Sequence, residues 1–130
     1  MSTVRVVLDA SALLAYARLR GLATAELVTM VEEDGGASLV GIPAACFLTA
    51  YEQLEPDEQQ RLVRLATTSE GVTVILPLTG TDTVEVAALG SVMGHAVVET
   101  RRWRAIMATY DGATARKHLP QRRVLELDDA

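Results

Sequence analysis

Short β-branched runs that alternate with helix-forming stretches constrain this chain more than any other feature. The first is Thr3–Leu8 (TVRVVL), and Ala37–Gly41, Val72–Leu76, Ala105–Ala108 and Val124–Leu127 follow, with helix-length segments between most of them. Each run is apolar and closed by Gly, Pro or a polar residue, the pattern of a strand buried on both faces. Strands alternating with helices imply right-handed crossovers, hence a mostly parallel sheet of four or five strands in a three-layer α/β/α sandwich. A length of 130 residues suits one domain spanning 1–130, since single cores typically serve about 100–150 residues.

The helical segments carry their own punctuation. Ser11 precedes the strong helix former Ala12–Arg18, and Thr24–Glu33 places apolar residues at 27, 28 and 31 before Asp34, Gly35 and Gly36 end it. Pro43 suits the first turn of a helix over Ala44–Leu54, and Pro56 with Asp57 opens another, which Gly71 breaks. Thr81 or Asp82 is expected to cap a helix from near Val84, with Gly90 and Gly94 interrupting it before His95–Arg102. A short helix near Ala113–Lys117 precedes the last strand. The faces Leu27, Val28, Val31 and Leu62, Val63, Leu65 offer more apolar area than so small a core needs, so a homodimer or partner contact is expected there.

Several chemistries are excluded. No apolar run reaches the roughly 20 residues that cross a bilayer, and the N-terminus lacks a signal-peptide pattern, so no membrane association and a cytoplasmic location are expected. The lone cysteine, Cys46, rules out an internal disulfide and a Cys-rich zinc site, and its apolar setting reads as a small buried hydrophobe. His95 and His118 lack zinc-ligand spacing, and His95 reads as a packing or capping residue at a helix start. No Gly-rich phosphate loop or nucleophile elbow is present.

The net charge of −5 argues against a broad nucleic-acid surface. Charge is uneven, however. From Arg101 to Arg123 there are seven cations and one acid, Asp111. These are either solvated faces or a local phosphate-contacting patch, with Arg101, Arg102, Arg104, Arg116 and Lys117 as the RNA-contact candidates. Trp103, between two of the arginines, suits either base stacking or the edge of the core.

In parallel sheets ligands bind beyond the carboxyl ends of the strands, and two acids fall there: Asp9 after the first run and Asp111 after the fourth. The segment Val6–Leu14, a hydrophobic strand followed by Asp-x-Ser, resembles the opening of the PIN-domain ribonucleases. Ile42–Tyr51 is similar to the family's helix after the second strand. His95–Arg102 resembles the helix before the fourth strand, and Ala105–Asp111 that strand with its Thr-x-Asp turn. The resemblance runs in order over nearly the whole chain.

That resemblance implies a Mg²⁺- or Mn²⁺-dependent endoribonuclease of the toxin–antitoxin (VapC-like) type, often homodimeric and inhibited by a small antitoxin protein. The chemistry is sound in outline: hard cations prefer oxygen ligands, and the metal activates water for attack on a phosphodiester. Carried over by position, Asp9 and Asp111 are the catalytic and metal-binding acids, with Ser11 and Thr109 in support. The middle of the set departs from the family pattern. The second acid falls on Thr49, with Glu52 one turn later, and the third on Gly90 or Met93. Two expectations follow: a weakly metal-binding ribonuclease, or a catalytically inactive PIN-fold module that binds protein or RNA.

Overall fold

Val6, Val7 and Leu8 are consecutive and all buried, and because neighbouring strand residues point to opposite faces, both sides of their strand must be covered. They belong to β1 (Thr3–Leu8) at the centre of an all-parallel sheet ordered β3-β2-β1-β4-β5 in a computed structural model, which describes residues 3–68, 72–90 and 93–129. The other strands are β2 (Ser38–Pro43), β3 (Thr73–Leu76), β4 (Ile106–Thr109) and β5 (Val124–Glu126). Seven helices connect them among the described residues: α1 (Ala10–Ala17), α2 (Leu22–Glu32), α3 (Ala44–Glu52), α4 (Pro56–Thr68), α5 (Gly80–Leu89), α6 (Gly94–Trp103) and α7 (Gly112–Ala115). The expected α/β fold class holds, with five strands and all of them parallel.

The strand order decides where a ligand could sit. The chain moves outward from β1 to β2 and β3, then returns to lay β4 on the other side of β1. Helical connections therefore diverge between β1 and β4, which leaves a crevice at their carboxyl ends. The register pairs Val7 with Met107 and Leu8 with Ala108, so the next residues out, Asp9 and Thr109, stand beside each other at the mouth of that crevice.

One core runs through β1, β2 and β4 and the inner faces of α1, α3, α4 and α6, with Leu8, Leu13, Ile42, Leu62 and Met107 fully buried. Each such side chain contributes about 1.5–3 kcal/mol relative to exposure. The helices expected to carry spare apolar area spend it here. Val28, Val31, Leu62 and Leu65 are buried and Leu27 packs against the core, which leaves only Val63 of the six exposed. These residues therefore serve the core of the fold. A five-stranded sheet absorbs more apolar helix surface than the count of apolar positions implies.

Some boundaries also move. The fifth helix begins at Gly80, not near Val84, because Thr79 is its cap: the Thr79 hydroxyl accepts from the Asp82 amide at 3.3 Å and donates to the Asp82 carboxylate at 3.0 Å. That Thr-x-x-Asp signal was present in the sequence one turn earlier than the expected cap. Gly90 does end the helix, with φ of 104°. Gly94 does not interrupt a helix but opens α6, where a Cβ would meet the Val86 carbonyl oxygen at 2.3 Å; glycine is what lets α5 and α6 pack this closely. Trp103 ends α6 instead of entering a strand. Gly71 lies outside the described residues. No described helix is long and apolar enough to cross a membrane.

Candidate functional site

Asp9 is the first residue beyond β1 and the cap of α1, and its carboxylate is only 2% exposed. Both oxygens are engaged. Oδ1 accepts from the Ser11 hydroxyl at 2.7 Å and from the Ala12 amide at 3.0 Å, and Oδ2 accepts from the Thr109 hydroxyl at 2.6 Å. Burial raises the Asp9 pKa above its ordinary value, and the nearby Asp111 charge adds to the rise; the Ser11, Thr109 and Ala12 hydrogen bonds oppose it. The Cys46 thiol lies behind this carboxylate, fully buried, and burial with the Asp9 charge pushes it up to about 12. It is a core residue without thiolate character.

Ser11 and Thr109 knit the two strand ends together. Their hydroxyls are 3.3 Å apart, Ser11 Oγ also accepts from the Tyr110 amide at 2.9 Å, and Thr109 Oγ1 accepts from the Asp111 amide at 2.9 Å. Asp111 is exposed and caps α7, its Oδ1 accepting from Thr114 N at 3.3 Å. All four residues singled out from the sequence thus meet at the topological switch point. Asp129, not foreseen, closes the neighbourhood: its Oδ1 accepts from the Tyr110 hydroxyl and from the Ala23 amide, both at 2.9 Å, and so supplies the cap that Gly21 cannot give to α2.

The remaining family positions contribute no carboxylate. Thr49 is half-buried on α3, Gly90 is exposed at the end of α5, and Met93 is buried in the core at the start of α6. Glu52, one turn past Thr49, is exposed. A divalent cation of the Mg²⁺ class requires oxygen ligands, and a hydroxyl, a thioether and a glycine are poor substitutes for two acids. Among the described residues no group of three or more His, Cys, Asp or Glu side chains is placed to hold a metal ion. With Asp9 committed to three protein donors, this donor set does not fit a resident divalent cation.

A second polar cluster lies on α6. His95 is fully buried, and its Nδ1 accepts from the Ala45 amide at 3.2 Å, which caps α3 in place of Pro43. The expected capping role is therefore real, but it serves a neighbouring helix. Accepting at Nδ1 requires the neutral ring, and burial lowers the His95 pKa accordingly. Its Nε2 stands 3.8 Å from Glu99 Oε1, with no partner within hydrogen-bond distance among the described residues. Glu99 is itself buried, which raises its pKa, and Arg102 bridges it to Asp82, with an Arg102–Asp82 distance of 2.5 Å. The Glu99–Arg102 and His95–Glu99 spacings of three and four residues were legible. Asp82, twenty residues from Arg102, was not.

This cluster changes the reading of the basic segment. Arg102 is bound to Asp82 and Glu99, Arg101 pairs with Glu85 at 3.5 Å and donates to the His118 carbonyl at 2.8 Å, and Arg116 pairs with Glu126 at 3.2 Å. Arg123 donates to the Arg104 and Ala105 carbonyls at the end of α6. Of the five RNA-contact candidates, only Arg104 and Lys117 form no ion pair among the described residues. Three of the seven cations of the segment, Arg101, Arg102 and Arg116, are thus paired with protein acids. Comparison with protein-family models and with curated proteins finds no match for this chain.

Proposed function

We propose that this protein is a PIN-like α/β module that acts by binding another protein, and that its acidic sheet edge serves structure instead of hydrolysis. The observation that carries this reading is the Asp9 carboxylate, buried and held at both oxygens by hydrogen bonds from Ser11, Ala12 and Thr109. A carboxylate that caps a helix and ties two strands has a structural task, and the acids that would share a cation with it are replaced by Thr49 and by Gly90 or Met93. The internal pairing of Arg101, Arg102 and Arg116 favours protein over RNA as the partner class.

A second reading has its own support. Asp9 and Asp111 meet at the switch point where parallel sheets bind ligands, and a Mg²⁺- or Mn²⁺-dependent endoribonuclease held in check by an antitoxin would place its chemistry there. One experiment separates them. Under the first reading, purified protein incubated with RNA and Mg²⁺ or Mn²⁺ gives the same background cleavage as Asp9→Asn and as protein in EDTA. Cleavage that needs the metal and disappears in Asp9→Asn would replace the binding-module reading with the nuclease.

A further inference from the structure

Three arginines line one small hollow at the pole of the sheet opposite Asp9 and Asp111. Arg104 shortly precedes β4 and Arg123 immediately precedes β5, so both stand at the amino edge, whereas the two acids stand at the carboxyl edge. Together with Arg101 they wall a space of about 190 Å³, to which Leu119 and Pro120 add apolar surface. No acid lines it among the described residues. The fold thus divides the basic segment. Arg102 turns to Asp82 and Glu99, Arg116 turns to Glu126, and neither borders this hollow.

Two of the arginines are held in place by backbone oxygens. Arg101 donates to the His118 carbonyl at 2.8 Å, and Arg123 donates to the Arg104 and Ala105 carbonyls. These bonds fix the guanidiniums and cover oxygens whose partial negative charge would repel an anion. A guanidinium has more donors than they use. Arg101 also pairs with Glu85 at 3.5 Å, but the two side chains are 47% and 54% exposed, and so open a pair contributes little. Arg104 forms no ion pair among the described residues. It sits at φ of 52° in the left-handed C-cap of α6, a position that favours glycine. A residue with a Cβ held there, its charge unmatched, points to a task for the side chain. Three like charges around one hollow repel each other, and a bound anion offsets that repulsion.

We propose that this hollow binds a small phosphomonoester. Charge and shape select that ligand. A tetrahedral dianion presents oxygens toward all three arginines, whereas a carboxylate offers one charge in a plane that a single guanidinium fork satisfies. Leu119 and Pro120 supply contact for the organic group that the phosphate esterifies. At about 190 Å³ the hollow is smaller than pockets for drug-sized ligands, roughly 300–1,000 Å³. It therefore suits one phosphate with a compact substituent, not the run of phosphates along an RNA strand. Such a site is independent of the protein-binding reading of the fold.

Calorimetry on the intact chain tests this with inorganic phosphate, phenyl phosphate and benzoate as probes. Phenyl phosphate should bind at a single site, more tightly than inorganic phosphate and about tenfold or more tighter than benzoate. Its affinity should fall as pH drops below roughly 6, where the dianion takes up a proton. Arg104→Ala and Arg101→Gln should each weaken binding by about tenfold or more, with circular dichroism unchanged. Arg116→Ala and Lys117→Ala should leave it as it is. Amide shifts in NMR should move at Arg101, Arg104, Leu119 and Arg123 and stay fixed at Ser11 and Thr109. Three outcomes would overturn the proposal: no binding of either phosphate at millimolar concentration, benzoate binding as tightly as phenyl phosphate, or equal losses from Arg104→Ala and Lys117→Ala, the mark of a diffuse surface that RNA would share.

Discussion

The Thr109 hydroxyl donates to Asp9 Oδ2 at 2.6 Å, across two parallel strands whose residues are 100 positions apart in the chain. That bond joins the first strand to the fourth at the point where the sheet reverses its direction of growth. It also leaves Asp9 with no solvent to share its charge, and the consequences can be measured.

Asp9→Asn should stabilise the protein at neutral pH, by on the order of 1 kcal/mol, the scale of a typical single substitution. Asparagine keeps one acceptor oxygen for the helix cap and removes a buried charge, while the Thr109 hydroxyl turns to accept from the amide nitrogen instead of donating. Because burial raises the Asp9 pKa above 3.8, the native state holds that proton more tightly than the unfolded state does. The resulting stability is complete below 3.8 and lost as pH rises through the raised value. Thermal melts of parent and variant should therefore differ most near pH 7 and converge in acid. A destabilised variant at pH 7 would contradict this account.

His95 should make stability depend on pH in the opposite direction. Its folded pKa is lowered from 6.5 by burial, so the unfolded state takes up the proton first. Stability is full above 6.5 and falls as pH drops toward the folded value, by at most about 1.4 kcal/mol per pH unit. Glu99, with its pKa raised from 4.5 by burial, gains stability as pH falls and partly masks the trend. Urea titrations of the parent against His95→Gln, which keeps an acceptor for the Ala45 amide but does not titrate, isolate the histidine. The parent-minus-variant difference should shrink from pH 7 to pH 5; a constant difference would mean that His95 does not titrate differently on folding.

Arg102 and Arg104 lie two residues apart and should behave as unlike residues. Removing Arg102 leaves Glu99 buried without its partner, a loss on the order of 2 kcal/mol. This is less than for a fully buried pair, because the Arg102 side chain is 43% exposed. Arg104→Ala should change stability by no more than about 0.5 kcal/mol, as surface substitutions do. In a Glu99→Gln background Arg102→Ala should cost less. Equal effects of the two arginine changes in chemical denaturation would refute the bridging role.

The Cys46 thiol, buried and held at about 12, should resist a thiol-specific reagent at pH 8 for as long as the protein is folded. Labelling should follow the denaturation curve. Rapid modification under native conditions would mean that the base of α3 opens locally.

The sequence by itself determined the class of fold and the location of its edge. Continuous apolar runs such as Thr3–Leu8 and Val72–Leu76, separated by helical segments, leave little choice but a parallel sheet, and a parallel sheet fixes where Asp9 and Asp111 must emerge. Thr79-x-x-Asp82 shows that helix starts are local as well, since the cap of α5 lies within four residues of sequence. Pairing across the chain was not local. Nothing near Arg102 announces Asp82, and nothing near Ala45 announces the His95 ring that caps it; the packing of α5 and α3 against α6 brings them together. The same holds within the arginine-rich segment, where the fold supplies acids to Arg101, Arg102 and Arg116. Leu27, Val28 and Val31 looked like a free face until the sheet covered them, while Leu19, Leu22 and Met30, ordinary in sequence, remain exposed. Local propensity is written residue by residue, but burial and charge compensation depend on which elements become neighbours, and only the tertiary structure decides that.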